Sequence, residues 1–279
     1  MALIALIRGG GDLASGVALR LRRAGLRVVI TELPNPLVVR RMVSFAQAVF
    51  DGSYSVEGET ARLVTTLKET LAALKNDDIP LLVDPECRVL GELKNYRELA
   101  LKIVLVDARM TKRAPELGID VADLMIGLGP GFVAGENCHA VIETNRGPFL
   151  GRVIWRGSPE VDTALPEGFG DLFRDRVLRA PADGIFRPVR RIGDHLVPGD
   201  LIAEVNGKPL TAPFTGVLRG LLFPGLQVNE GVKVGDLDPR DDPRLCTMVS
   251  DKSLAVGGGV LEAILSSWDL RGLLWNELT

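Results

Sequence analysis

Three consecutive glycines interrupt the first apolar run of the chain, in IRGGGDLASG at residues 7–16, and no other stretch restricts the local fold so tightly. Met1 to Ile7 is a continuous apolar strand pattern. Leu13, Ala14, Val17, Ala18 and Leu21 then recur at helical spacing, with Arg20, Arg22 and Arg23 on the opposite side. A turn of Gly9, Gly10 and Gly11 must join the two, since only residues without a Cβ take positive φ freely and let backbones approach closely. The unpaired N–H groups that open the helix favour an anion. Gly9, Gly11 and Ala14 also fill the three small positions of a dinucleotide-binding fingerprint. Glu32, closing the next apolar run RVVITE, stands where a ribose-binding acid would. Asp12 opposes this, because its carboxylate would cap the helix and occupy the positive end a phosphate needs. No Lys-Ser or Lys-Thr pair follows the glycines, which excludes a P-loop. Two readings remain open: a nucleotide or pterin-phosphate site, and close strand–helix packing.

The chain has 279 residues, 46% hydrophobic and 25% charged, enough for two domains with a substantial core. A net charge of −3 argues against a broad basic surface for nucleic acid. No uncharged apolar run reaches a membrane-spanning length, and Arg8 arrives too early for a signal peptide, so a cytoplasmic protein is expected. Three widely spaced cysteines fit reduced thiols. With two histidines and no cysteine pair at zinc spacing, no metal site is expected.

Beyond LPNP, Val38 to Val49 reads as a helix with Arg40 and Arg41 near its start, where basic residues oppose the dipole unless they meet an anion. Short strands around the turn EGE at 57–59 and a helix from Thr66 to Leu74 follow. Continuous apolar runs at 79–84, 101–109 and 122–129 indicate a parallel sheet covered on both faces. Asp84 and Asp107 end two of them, at the edge where open α/β sheets bind ligands; Asp107 with Arg109 and Lys112 is the better candidate. Residues 127–155 read as a loop rich in glycine and proline before two alternating strand patterns, a cleft wall with Cys138 and His139 at the strand entrance. Adjacent strand residues point to opposite faces, so these two cannot form a dyad with each other. Residues 157–175 look like a linker.

The chain then repeats itself. APADGIF at 180–186 is matched by APFTGVL at 212–218, and the same offset carries Gly193 to Gly225, Leu196 to Val228 and Gly199 to Gly231. Two such halves predict a small interlocked β unit resembling the biotinyl/lipoyl barrel-sandwich family. In that family a lysine at the central hairpin carries the prosthetic group, and Lys208 lies near that place. Its flanks, Gly207 and Pro209, lack the residues that mark a biotinyl or lipoyl lysine, so neither group is expected on Lys208. In SDKSLAVGGGVLEAIL at 250–265, glycines 257–259 should form a turn that starts a helix at Val260. Asp238, Arg240, Asp251 and Lys252 would gather at an interdomain contact. The expected architecture is a Rossmann-like, mostly parallel α/β domain over 1–175, a barrel-sandwich domain over 176–240 and a C-terminal helix over 241–279 packed back on the first.

RGGGDLASGVALRLRRAG, ITELPNPLVVRRMVSFAQAVFDG, GLGPGF, VIET-x-RG, DLDPR and SDK-x₅-GGGVLEAI together resemble the YqeB-type accessory proteins of selenium-dependent molybdenum hydroxylases. The resemblance implies a protein that helps mature or insert the molybdenum cofactor of a client hydroxylase. The ligand would be a molybdopterin-type cofactor or nucleotide at Gly9, Gly10, Gly11 and Asp12, with Glu32, Asp107 and Arg109 around it. The chain departs from the family pattern at Pro148 and around 163–168. An NAD(P)-dependent oxidoreductase and a non-catalytic assembly module for a hydroxylase are the alternatives.

Overall fold

The computed structural model describes residues 2–96, 100–161 and 176–273. Most of the stretch read as a linker, from 162 onward, lies outside them. The first half is built on a nine-stranded sheet. Its strands are β1 (Ala2–Arg8), β2 (Arg27–Glu32), β3 (Ser53–Val56), β4 (Glu59–Val64), β5 (Ile79–Val83), β6 (Leu101–Asp107), β7 (Leu124–Leu128), β8 (Ala140–Ile142) and β9 (Val153–Ile154). They lie in the order β3-β4-β5-β2-β1-β6-β7-β8-β9. From β4 to β8 every pairing is parallel. At the two edges β3 and β9 pair antiparallel with their neighbours.

Alternation along β1 explains how one strand serves two cores. Leu3, Ala5 and Ile7 face the layer of helix α1 (Asp12–Arg23), while Ile4 and Leu6 face the opposite layer. Helices α3 (Leu67–Lys75) and α4 (Val89–Asn95) cover that second face, after the single turn α2 (Ala48–Asp51). Thr66 and Glu69 close α3 with a reciprocal capping box.

The chain from 177 to 238 forms two four-stranded antiparallel sheets from β10 (Val177–Arg179), β11 (Gly184–Pro188), β12 (His195–Leu196), β13 (Leu201–Val205), β14 (Lys208–Thr211), β15 (Gly216–Leu221), β16 (Gln227–Val228) and β17 (Lys233–Asp238). Their orders are β10-β17-β15-β12 and β14-β13-β11-β16. Each strand of one sheet has its counterpart in the other at the spacing of the internal repeat. The repeat is also written into the core, where Phe186 and Leu218, Leu196 and Val228, and Ile202 and Val234 are all buried.

This strand pairing corrects the expected fold class. The large sheet is mixed rather than Rossmann-like: parallel in its interior, it is antiparallel at both edges, because the Glu57–Gly58 turn folds β4 back along β3 and the chain after β8 returns antiparallel as β9. The second region is a pair of separate antiparallel sheets, with nothing that marks a biotinyl/lipoyl barrel-sandwich. Asn206 and Gly207, both at positive φ, form the apex of its hairpin. Lys208 is instead the first residue of β14, paired across the strands with Val205.

Two element expectations are also corrected. Residues 38–49 do not form one helix but two short 3-10 turns, Arg41–Val43 and Phe45–Gln47, followed by α2. Their backbone groups bond outward. Ala46 N–H donates to Gly10 O at 2.8 Å, and Val39 O accepts from Leu221 N–H of β15 at 2.8 Å. Nor do glycines 257–259 form a turn. Helix α5 (Asp251–Ser266) runs straight through them, N-capped by Ser250. A Cβ at Gly257 would sit 2.7 Å from Gly16 O of α1, and one at Gly259 would sit 2.1 Å from Gly151 O. One at Gly16 would meet the Ser253 side chain at 2.5 Å. The missing side chains let α1 and α5 lie backbone to backbone, which compensates the low helix propensity of glycine.

The two regions are joined at Val39–Leu221 and by Phe50 and Phe223, whose rings stack at 4.0 Å. Arg41 lies 5.5 Å over the Phe223 ring and donates to Leu221 O at 2.7 Å. Among the described residues no helix is long and apolar enough to cross a membrane.

The helix crossing separates three adjacent glycines. Gly257→Val and Gly259→Val should each lower stability by about 1–3 kcal/mol through overpacking. A Cβ at Gly258 meets nothing within 4 Å, so Gly258→Ala should stabilise by about 0.5–1 kcal/mol. Thermal unfolding of the three variants measures this; equal effects at all three positions would contradict the close packing of Gly257 on α1 and of Gly259 on Gly151.

Candidate functional site

The register of the central strands builds the site. With β1 parallel to both neighbours, Arg8 stands level with Thr31 of β2 and Asp107 of β6 at the carboxyl edge of the sheet. A cleft of about 560 Å³ opens there, between the glycine turn, the 33–40 connection and the segment 108–111. Its size suits a small-molecule ligand. Its walls are largely apolar, from Leu33, Pro36, Leu37, Val38 and Met110, with Arg8, Arg40, Arg109 and Lys233 as the lining cations.

Of the three glycines, Gly9 takes positive φ, +98°, and a Cβ there would crowd Ala108 O at 3.4 Å. Gly10 is the close-packed one, since a Cβ would lie 2.9 Å from Ala46 N. Its carbonyl accepts from Ala46 N–H and from Ser15 Oγ, and Ser15 Oγ in turn accepts from Phe45 N–H. Gly11 is extended and is the N-cap of α1 without a side-chain cap; a Cβ there would meet only Val38 Cγ2, at 3.9 Å. The first-turn residues Asp12, Leu13 and Ala14 line the cleft.

The expected acids are present at this edge, but each is held by protein donors. Glu32 accepts from Gly10 N–H at 2.6 Å and Leu33 N–H at 2.7 Å. Burial raises its pKa against the pull of those two N–H groups. Asp12 does not cap its own helix. It accepts from Arg40 Nη1 at 2.9 Å and Ser253 Oγ at 2.9 Å, tying the starts of α1 and α5 to the connection after β2. Asp107 is buried between Arg8 at 3.1 Å and Arg109 at 2.7 Å. Hydrogen bonding to Arg109 also lowers Glu116, which closes the cluster, to about 2. Asp84 lines the cleft and bonds Val89 N–H at the start of α4.

Cys138 is not at this site. Residues 127–139 fold inward, with the Phe132 ring packed onto Gly127, and Cys138 is fully buried in the core beneath α4. Burial pushes its thiol up to about 11. His139 Nδ1 accepts from Met125 N–H at 2.9 Å. Among the described residues no group of three potential ligands could hold a metal ion.

Sequence reasoning missed Arg8, Arg176, Arg219 and Lys233. Arg8 had a visible signal, a charge ending an otherwise apolar strand. The others are brought in by long-range pairing: Arg219 stands in a register shift of β15 between Leu218 and Gly220, opposite β17. Asp238 and Arg240 do meet, at 2.6 Å, and Asp251 pairs with Arg146 at 2.9 Å.

No protein-family model matches the chain. It is 48% identical over 262 residues to the uncharacterized protein YqeB of Escherichia coli, a match that takes in 94% of this chain and 47% of that protein. The chain is similar to YqeB along almost its whole length. It spans about half the length of that relative. Solved structures with some likeness include the ectoine utilization protein EutE (DoeB) of Ruegeria pomeroyi without ligand, at 12% identity, TM-score 0.23, covering 85% of this chain and 86% of that one. An aspartoacylase family protein of Mesorhizobium loti shares 10% identity at TM-score 0.26, covering 85% of this chain and 84% of that one. A likeness this slight assigns neither fold nor chemistry.

The buried carboxylates set the acid sensitivity of the molecule. Against the upward push of burial, hydrogen bonds from Arg240 and the charges of Arg219 and Arg176 hold Asp238 at about 2, below its ordinary 3.8. A depressed folded pKa gives stability that is present above the ordinary value and lost as pH falls through the folded one, about 2 kcal/mol for this group. Urea denaturation should therefore show Asp238→Asn strongly destabilised near neutral pH, with the gap to the parent narrowing as pH falls from about 4 towards 2. A gap independent of pH would contradict this.

Proposed function

We propose that the chain binds a phosphorylated pterin or nucleotide at the glycine turn, and that it does so in maturing or inserting the molybdenum cofactor of a selenium-dependent molybdenum hydroxylase. The observation that carries the binding step is the cleft itself. It combines apolar walls for a flat ring with an uncapped helix start and the cations Arg8, Arg40, Arg109 and Lys233, at the carboxyl edge of parallel strands where such ligands bind. The maturation role is supported by the sequence likeness to YqeB-type accessory proteins and is the less direct of the two steps.

The alternative of an NAD(P)-dependent oxidoreductase draws on Glu32 as the ribose acid. Both oxygens of Glu32 are already engaged by Gly10 and Leu33, which counts against it. The chain as an assembly module without a small ligand finds support only in the second pair of sheets.

Gly11→Val tests the binding step, because a Cβ there meets only Val38 Cγ2, at 3.9 Å, on extended backbone beside the cleft. Calorimetric titration with molybdopterin, GTP, CTP and NAD should find at least one ligand whose affinity falls by roughly tenfold or more in the variant, with the protein still folded and its unfolding temperature lowered only by the weaker N-cap. Failure of all four to bind the parent, or equal binding by the variant, would contradict the reading.

A further inference from the structure

The cleft at the glycine turn continues past Lys233. A second cavity of about 820 Å³ opens there, and Asp12, Leu13, Arg40 and Lys233 line both. The two chambers differ in chemistry. Beyond the shared residues, the second is lined by Arg146, Arg176, Arg219 and Arg240.

Four cations in this chamber share two carboxylates. Asp236 accepts from Arg219 at 2.6 Å and Arg176 at 3.1 Å, with Lys233 at 3.8 Å. Asp238 accepts from Arg240 at 2.6 Å, Arg219 at 3.2 Å and Arg176 at 3.4 Å. Both carboxylates are almost fully buried, at 2% and 1% exposure. Arg40 and Arg146 are paired with Asp12 and Asp251, and these two acids also attract Lys233 and Arg240. Cations still outnumber carboxylates around the chamber when Asp12, Asp251 and Asp238 are counted with Asp236. A purely structural ion cluster in a half-buried setting gains most when its charges match. Burial lowers the pKa of Lys233, with Arg176 and Arg219 adding to the fall and Asp236 and Asp12 opposing it. Among the described residues the buried Nε atoms of Arg40 and Arg219 have no acceptor.

At the glycine turn the charges are closer to even, with Arg8, Arg40, Arg109 and Lys233 against Asp12, Glu32 and Asp84. The carboxylates of Glu32 and Asp12 lie at the helix start and offset its positive end. A ligand with one phosphate at the turn and more charge beyond it would find its counter-charges in the second chamber.

Resting on the reading of the cleft as a site for a phosphorylated ring compound, the geometry points to the basic chamber as the subsite for the outer phosphates. The ligand class is then a pterin or nucleoside bearing a pyrophosphate or longer chain, with its ring between Leu37 and Met110 and its terminal phosphate facing Arg219 and Arg240. Guanidinium groups suit this, since they present paired donors to phosphate oxygens.

Inorganic pyrophosphate, which has no ring, tests the subsite separately from the cleft. The parent protein should bind it with an affinity that falls as salt rises, and its unfolding temperature should rise more with pyrophosphate than with chloride at equal ionic strength. Arg240→Gln and Arg146→Gln, both at exposed side chains, should each weaken binding by roughly three- to tenfold. Arg179→Gln, an exposed arginine outside the chamber, removes the same net charge and should leave binding unchanged. No pyrophosphate binding by the parent, or equal weakening by all three variants, would overturn the subsite. Binding lost in Gly11→Val but kept in Arg240→Gln and Arg146→Gln would place the phosphates at the glycine turn, overturning the subsite while leaving the cleft reading intact. Pyrophosphate binding with the expected variant pattern, together with no binding of any pterin or nucleotide, would support the subsite and contradict the proposed ligand instead.

Discussion

The carboxylate of Asp12 is the joint on which the molecule closes. It stands one residue past the glycine turn and accepts from Arg40 and from Ser253. Arg40, almost buried, also donates to the carbonyls of Leu245 and Met248. Four segments far apart in sequence are thereby fixed to one another: the start of α1, the connection after β2, the chain beyond β17 and the start of α5. A buried ion pair of this kind is costly to break, since loss of either partner strands the other charge away from water. The glycine-mediated crossing of α1 and α5 supports the same joint, because Ser253 reaches Asp12 only while the two helices lie backbone to backbone.

The same joint divides the space beside it. One side is the apolar cleft against the glycine turn, the other the basic chamber against β15 and β17. Asp12 is itself negative and sits between them, while Glu32 tightens the turn by bonding Gly10 N–H. The glycine turn is thus stiffened from within by Glu32, Ser15 and Ala46, and it presents a shaped backbone surface rather than a loose loop. Preorganisation of this kind reduces the ordering cost of binding a ligand.

Much of the first half was legible because its signals are local. The apolar runs at 79–84, 101–109 and 122–129 became β5, β6 and β7, and the turn at 57–59 became the β3–β4 hairpin. The 32-residue repeat foretold two equivalent halves, and their strand orders show that equivalence. Its likeness to a prosthetic-group carrier misled, because the turn residues Asn206 and Gly207, rather than Lys208, form the apex. The segment 38–49 was misread as a helix since its apolar spacing serves two partners, the glycine turn and β15, instead of one helix face. Glycines 257–259 were misread because their cost in helix propensity is visible in sequence and the packing that offsets it is not. At the sheet edge Gly9, Gly10, Gly11, Asp12 and Glu32 lie together, with Asp107 ending the neighbouring strand and Arg109 just beyond it. Their hydrogen bonding was not legible, and neither was the gathering of Arg176, Arg219 and Lys233, single residues that only the β10-β17-β15 pairing brings together.

Hydrogen–deuterium exchange, followed as a phosphorylated pterin or nucleoside triphosphate is added, tests the central claim most directly, because it reads both chambers in one experiment. The account predicts new protection in two separate stretches, residues 8–14 at the glycine turn and residues 216–240 on β15 and β17, with no change in the loop around Cys138. Protection confined to 127–139, or absent from both predicted stretches at saturating ligand, would contradict it.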